Sequence, residues 1–394
     1  MRPLVFVLVA AALPAQVADK FVPAEPEGMR LFGSLGDRLK ANLQQLMKAD
    51  EAALLAPFEQ RPWADPRAGE AVGRYLFASA GMYRYQKDQK LRVAMERVVR
   101  RLLAAQEPDG YLGTEGKAAR WKSWDVSVHK EVINGLMAYA RVMSDERALA
   151  AARRGGELLA ATFGPAKRDI WASSGAGGWA GTALLQTICE LHRATGDARL
   201  AEFAGYLVAA WDQPQGPRVL DTLLTGSVKA WPAEFAPEIV ENLLGLLELY
   251  RSTGDERFLL AVTSAHEDMV GEKRFAESPR WPELNWHLLR LTGGPAYARV
   301  LAALVPGALT DPRLVALMPQ LVAGAFAGGV AFVVWPEGTL TLAAAGKPVR
   351  LEIAGRQVKW VEGAGAYPLW WLGRPGRPVY AWRNWAIGGT YEVP

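Results

Sequence analysis

One recurrence constrains this chain more than any other feature. Five short segments, built around Asp88, Asp145, Asp197, Asp255 and Gly294, each separate two stretches whose apolar residues fall at helical spacing. They read Tyr85-Gln-Lys-Asp88-Gln-Lys-Leu91, Val142-Met-Ser-Asp145-Glu-Arg147, Ala194-Thr-Gly-Asp197-Ala-Arg-Leu200, Ser252-Thr-Gly-Asp255-Glu-Arg-Phe258 and Leu291-Thr-Gly-Gly294-Pro-Ala-Tyr297. Where glycine is present it can end one helix in a left-handed turn, and the aspartate then caps the next. Each segment is therefore read as the tip of a helix hairpin.

The tips stand 57, 52, 58 and then 39 residues apart. Roughly twelve helices follow: one near 36–58, five hairpins, and a last one near 312–322. The return connections at 106–125, 163–178, 212–237 and 270–281 are long. Short tips and long returns suggest a mostly α protein, an (α/α)6 toroid with its long loops gathered at one end. A rigid scaffold can carry function on such loops. Trp121, Trp124, Trp171, Trp231 and Trp281 would collect there.

From about residue 326 the pattern changes. Segments 330–335, 340–343, 349–353 and 358–361 alternate or run β-branched between Gly and Pro turns. Residues 33–325 are thus expected to form the helical domain and 326–394 a small β-rich one. At the other end, Arg2, the apolar run from Leu4 to Leu13, and small residues at Ala15 and Ala18 read as a signal peptide over 1–18. Export to the periplasm or the exterior is the expectation, with a linker over 19–32. No later stretch is long and apolar enough for a membrane span.

The formal charge is +4, with Lys and Arg interspersed among Asp and Glu, which leaves no nucleic-acid footprint. Cys189 is the sole cysteine, which excludes an internal disulfide framework and a Cys-rich metal site. Its neighbours Leu184, Leu185 and Ile188 suggest a small buried residue.

Chemistry concentrates in Trp124-Asp-Val-Ser-Val-His-Lys130, where a long loop meets a helix. Glu70, Asp125 and Glu238 each fall at a helix start after a loop, so all three are expected on one face. Glu70 and Glu238 also have an ordinary explanation as first-turn acids stabilised by the helix dipole, whereas His129 and Lys130 are read as opening a helix, where a cation is disfavoured. Opposed carboxylates are what glycoside hydrolysis requires, one to protonate the leaving oxygen and one to act at the anomeric carbon. Rim tryptophans offer apolar faces to sugar rings.

Several of these segments together resemble glycoside hydrolase family 127, the β-L-arabinofuranosidase-like group. The resemblance is carried by Gly69-Glu70 to Leu76, Gln106-Glu-Pro-Asp-Gly-Tyr-Leu-Gly-Thr114, Trp124 to Lys130, and Glu248-Leu-Tyr-Arg-Ser-Thr-Gly-Asp255, in order, between about Gly33 and Val300. It implies an (α/α)6 barrel followed by β-sandwich material. It also implies a zinc-bound cysteine thiolate as nucleophile and a glutamate as acid/base. In the family these lie partly between the fourth hairpin and the helix ending in Leu-Thr-Gly. Here that connection is only 270–281, and no Cys-Cys pair follows. Ser173 to Gly178 stands where relatives place a histidine, and Gln186 where they place a glutamate. Glu238 and Asn242 match a family segment, with Pro237 in place of a tyrosine.

The expectation is thus an exported family-127-like protein acting on carbohydrate with neither zinc nor another cofactor. As an enzyme it would use Glu238 and Glu70, with Asp125 in reserve, and Glu277 and Glu283 as weaker substitutes for the lost acid. Trp124 would stack on the sugar, and His129, Lys130 and Asn242 would bind its hydroxyls. The alternative is a non-catalytic carbohydrate-binding or degenerate relative.

Overall fold

A computed structural model describes residues 17–23, 26–28, 31, 33–212, 216, 218–225, 228–304, 311–326, 331–333, 337–344, 347–354, 357–362, 369–372, 379–382 and 390–392. Most of the segment read as a signal peptide, 1–16, lies outside them. The described helices are α1 (Gly33–Met47), α2 (Glu51–Glu59), α3 (Glu70–Gln86), α4 (Gln89–Ala104), α5 (Asp125–Met143), α6 (Glu146–Thr162), α7 (Trp179–Thr182), α8 (Leu185–Thr195), α9 (Ala198–Ala209), α10 (Val219–Thr225), α11 (Ala236–Thr253), α12 (Glu256–Met269), α13 (Lys273–Ala276), α14 (Trp281–Thr292), α15 (Pro295–Leu304) and α16 (Pro312–Val322). None is long and apolar enough to cross a membrane.

All five tips join consecutive helices: α3/α4, α5/α6, α8/α9, α11/α12 and α14/α15. The local chemistry is uniform. A left-handed residue ends the first helix, namely Lys87 (φ 54°), Ser144 (φ 53°), Gly196 (φ 69°), Gly254 (φ 72°) or Gly293 (φ 71°). At the first four tips an aspartate then accepts from the next helix's free N–H groups, as Asp145 does from Arg147 and Ala148. Lys87 and Ser144 do there what glycine does elsewhere. At Asp145, Asp197 and Asp255 the arginine two residues on folds back to pair with the cap.

Two departures have plain causes. The single helix expected over 36–58 is two, because the Asp50 carboxylate accepts from Ala52 and Ala53 N–H and so opens α2. The long returns also hold short helices (α10 and α13), and another (α7) directly follows the return at 163–178, all too brief to show periodicity.

The chain divides into two compact units. The first comprises Met1–Val17, Asp50–Phe77 and Met95–Trp281, and the second Ala18–Ala49, Ala78–Ala94 and Pro282–Pro394. In the first, α5 and α11 are buried almost all round, whereas α6, α9 and α12 bury a single stripe. α3 and α5 meet backbone to backbone at Gly73 and Gly135. A Cβ on Gly73 would lie 2.1 Å from the Glu131 carbonyl oxygen, and one on Gly135 2.5 Å from that of Gly73. This approach sets the first turns of α3 and α5 side by side.

The second unit carries the strands: β1 (Phe21–Pro23), β2 (Ala323–Phe326), β3 (Ala331–Val333), β4 (Glu337–Ala344), β5 (Lys347–Ala354), β6 (Gln357–Glu362), β7 (Leu369–Leu372), β8 (Val379–Trp382) and β9 (Thr390–Glu392). They form a sheet in the order β1-β2-β3-β7-β8 and another in the order β4-β5-β6-β9. β1 falls inside the segment read as a linker. It pairs antiparallel with β2, Phe21 opposite Phe326 and Pro23 opposite Gly324.

Candidate functional site

The first unit places the candidate residues in three groups. The first is centred on Glu70, at the start of α3 and only 3% exposed. Arg74 approaches its carboxylate at 2.7 Å and Arg67 at 3.1 Å, and Ser127 Oγ donates to it at 2.8 Å. Arg67 also lies over the half-buried Trp124 ring, 4.0 Å from its centre. Gly175 backs onto the same indole, so closely that a Cβ there would come within 2.7 Å of it.

The second group is interior. Asp125 opens α5 at 2% exposure and accepts from Tyr111 Oη at 3.0 Å and from Trp121 N–H at 2.9 Å. His129 is wholly buried. Its Nε2 accepts from Leu112 N–H at 3.1 Å, so Nδ1 carries the proton and donates to the Asp125 carbonyl at 2.8 Å. Burial holds the imidazole pKa below its ordinary value, against the Asp125 charge. Burial and that same charge raise the Tyr111 phenol. Arg61 ties the loop down through the Gly113 and Ala105 carbonyls at 2.7 and 2.9 Å. These bonds fold the long loop 106–124 onto α5.

One expectation is corrected here. His129 lies a turn inside α5 and not at its start, and both its ring nitrogens are engaged with backbone. It thus serves as a structural link between α5 and the loop 106–124. Asp125 is equally committed, as the acceptor that seats Tyr111 and Trp121. The sequence shows an aspartate and a histidine at a helix start, but not the N–H groups that take them up.

This gives a pH prediction. Between the ordinary histidine pKa of about 6.5 and the lower folded value, the unfolded chain binds a proton at His129 that the folded chain refuses. Its contribution is therefore fully present above about pH 6.5 and is lost as pH falls, with a slope approaching 1.4 kcal/mol per pH unit. Urea midpoints at pH 7.5 and 5.5 should differ more in wild type than in His129→Gln. Equal differences would refute the assignment.

The third group lies between α5, α8 and α11. Lys130, 6% exposed, reaches Glu241 at 2.5 Å and Glu131 at 3.5 Å. Burial disfavours the ammonium, but the charge of Glu241 and then that of Glu131 outweigh it, and its pKa lies above the ordinary value. Arg280 approaches the other Glu241 oxygen at 3.4 Å and donates to Gln186 at 2.9 Å. Glu238, one turn earlier on α11, is half-buried. Burial raises its carboxyl pKa, and the Glu241 charge adds to this, against its own backbone N–H, Lys130 and Arg67.

Asn242 is wholly buried, with its amide donating to the carbonyls of Glu238 at 2.7 Å and Trp179 at 3.2 Å. These bonds tie the first turn of α11 to α7, while the buried Asn242 Oδ1 accepts no hydrogen bond from the described residues.

Sequence reasoning missed Glu241, Arg280 and Arg67. Glu241 carried a signal, a charge three residues after Glu238 in an otherwise apolar stretch, whereas Arg280 carried none. Of the five rim tryptophans, Trp121, Trp231 and Trp281 are buried and only Trp124 and Trp171 are half-buried. Trp281 stacks on His266, with ring centres 5.0 Å apart. Glu277 is exposed and pairs with Lys273 at 3.4 Å, and Glu283 is buried in the second unit.

The model of the β-L-arabinofuranosidase GH127 catalytic domain matches residues 27–277. The chain belongs to this family. A non-reducing end β-L-arabinofuranosidase of Bifidobacterium longum subsp. longum is 27% identical over 202 residues, which cover 48% of this chain and 29% of that protein. The chain thus spans less than a third of that relative's length. A solved GH127 β-arabinofuranosidase superposes with a TM-score of 0.71 at 15% identity, over 91% of this chain and 72% of the other. A GH127 β-L-arabinofuranosidase from Geobacillus stearothermophilus T6 gives 0.69 at 14% identity, over 92% and 80%. The fold is therefore the helical toroid of GH127 structures.

Cys189 is 2% exposed inside α8. Burial pushes its thiol pKa up, and the Glu248 charge adds to the effect. In native protein it should resist a thiol reagent such as Ellman's over minutes and react once urea unfolds the chain. Fast native reaction would show an accessible thiolate.

Proposed function

We propose that this GH127 chain is an exported protein that recognises carbohydrate between α3, α5 and α11, by means other than a zinc-bound thiolate. Glycoside hydrolase-like function on carbohydrate follows from the family. The arabinofuranosidase relatives make a furanoside the first ligand to try. Export rests on the signal-like pattern of 1–18. The zinc of the family does not suit these residues. The sole cysteine is sequestered, and among the described residues no three His, Cys, Asp or Glu side chains gather to hold an ion.

Recognition in preference to two-carboxylate hydrolysis is favoured by one observation. Glu70 is held by two arginines and a serine, and Asp125 by Tyr111 and Trp121, so neither carboxylate is free to serve as nucleophile or base. Lys130 acts through Glu241, and Trp124 offers what Arg67 and Gly175 leave uncovered.

A second reading is supported by the raised pKa of Glu238. A half-buried carboxyl that keeps its proton to higher pH is suited to protonating a leaving oxygen. One experiment separates the two. Calorimetry and hydrolysis are run on the same panel of arabinofuranosyl oligosaccharides, aryl furanosides and aryl pyranosides, with and without chelator. Saturable binding without turnover, weakened in Glu238→Gln, is expected. Turnover that survives chelator and disappears in Glu238→Gln would establish the second reading. Chelator-sensitive turnover would overturn both, as would a panel in which nothing binds.

A further inference from the structure

Glu238 and Glu241 stand three residues apart on α11, a spacing that puts two side chains on one helix face. Their surroundings differ sharply. Glu241 is held at both oxygens by cations from two other parts of the first unit: Lys130 of α5 at 2.5 Å and Arg280, from the turn before α14, at 3.4 Å. Arg280 is itself fixed by donating to Gln186 of α8. These side chains leave little surface to water: Lys130 7%, Arg280 10% and Glu241 13%. Glu241 therefore has a position that changes little. Glu238 is half-buried, and the charges acting on it are Glu241 of its own helix, Lys130 of α5 and Arg67 of the turn before α3.

We propose that Glu238 is the proton-carrying group of this site, and that Glu241, clamped between Lys130 and Arg280 on the same helix face, is the residue positioned to act on it. The working carboxylate pair is then Glu238 and Glu241 on one helix face, and not Glu238 with Glu70 or Asp125. Protonated, Glu238 offers a donor and an acceptor, the combination that matches a sugar hydroxyl. Ionised, it offers acceptors only. Burial, and then the like charge of Glu241, favour the protonated form, while its own backbone N–H, Lys130 and Arg67 oppose it. The interior setting of the clamp lessens its screening by salt. The ligand chemistry, a neutral polyol or glycoside, rests on the carbohydrate reading above. The behaviour of the two carboxylates in the ligand-free protein does not.

The test is a carboxyl titration of ligand-free protein labelled with 13C at the glutamate side-chain carboxyl, followed by NMR, with the Glu238 signal assigned by its loss in Glu238→Gln. Glu238 is expected to titrate above the ordinary glutamate value of about 4.3. In Glu241→Gln its midpoint should fall as the like charge is removed. In Lys130→Met it should rise instead. Glu241→Asp, which keeps the charge, should restore most of the wild-type midpoint. A purely structural role for Glu241 would not move the midpoint in opposite directions in the two variants.

Should Glu241→Gln not fold, Lys130→Met carries the decision. A wild-type Glu238 midpoint at or below about 4.3 overturns the proposal by itself and needs only the Glu238→Gln assignment. A midpoint unmoved in every folded clamp variant overturns it too. Failure of the sugar panel with the titration as expected would overturn the carbohydrate reading and leave the carboxylate pair standing.

Discussion

Asp125→Ala is expected to destabilise the protein by about 3–5 kcal/mol, among the largest effects of any single substitution at the site. The carboxylate is the acceptor for Tyr111 Oη and Trp121 N–H, and all three groups are buried. Alanine leaves the Tyr111 hydroxyl proton and the Trp121 N–H without an acceptor where water does not reach, at about 1–3 kcal/mol each, although Tyr111 Oη still accepts from Glu115 N–H. It also removes a first-turn acid from α5. Asp125→Asn, which keeps one acceptor oxygen, should cost less than half as much. Urea unfolding followed by tryptophan fluorescence reads both. An Asp125→Ala midpoint within error of wild type would show that the carboxylate is free, and would return Asp125 to the list of ligand-facing acids.

Gly73→Ala is expected to cost about 3 kcal/mol or more, the upper end for overpacking. The added carbon would sit 2.1 Å from the Glu131 carbonyl oxygen and 2.7 Å from the Val132 nitrogen, both backbone atoms of α5. A side chain can rotate aside from such a clash, but a helix backbone has to move. Displacement of α5 from α3 would also draw Ser127 from Glu70. Gly196→Ala is the control. Nothing lies within 4 Å of a Cβ there, so its cost comes from the left-handed φ of 69° alone, about 1 kcal/mol. Comparable costs for the two substitutions would mean that the helices are not in backbone contact.

The hairpins were legible in the sequence because their chemistry is local. A left-handed residue and an aspartate within a few positions end one helix and start another, whatever surrounds them. The break at Asp50 has the aspartate cap but no left-handed residue before it, and was read through, since the apolar pattern continues on both sides. At the site, Glu238 and Lys130 were legible as charged groups near helix starts. The roles of Asp125 and His129 were not, because their partners lie up to 17 residues away on a loop whose path the sequence does not reveal. Glu241 was missed for a related reason. Its significance comes from Lys130, 111 residues earlier, and from Arg280, and no periodicity encodes such a pairing.

The pairing of β1 with β2 has a consequence for how the chain is made. Pro23 lies opposite Gly324, so the edge of β1 can be covered only after some three hundred further residues have left the ribosome. At synthesis rates of about 5–20 residues per second, this is a wait of roughly 15–60 s. During that time the first unit, whose last residue is Trp281, has been translated in full. The N-terminal strand, the earliest described element to emerge, is thus among the last to find its partner. A nascent chain arrested before residue 323 should leave Phe21–Pro23 open to protease, and one arrested well beyond 326 should protect it.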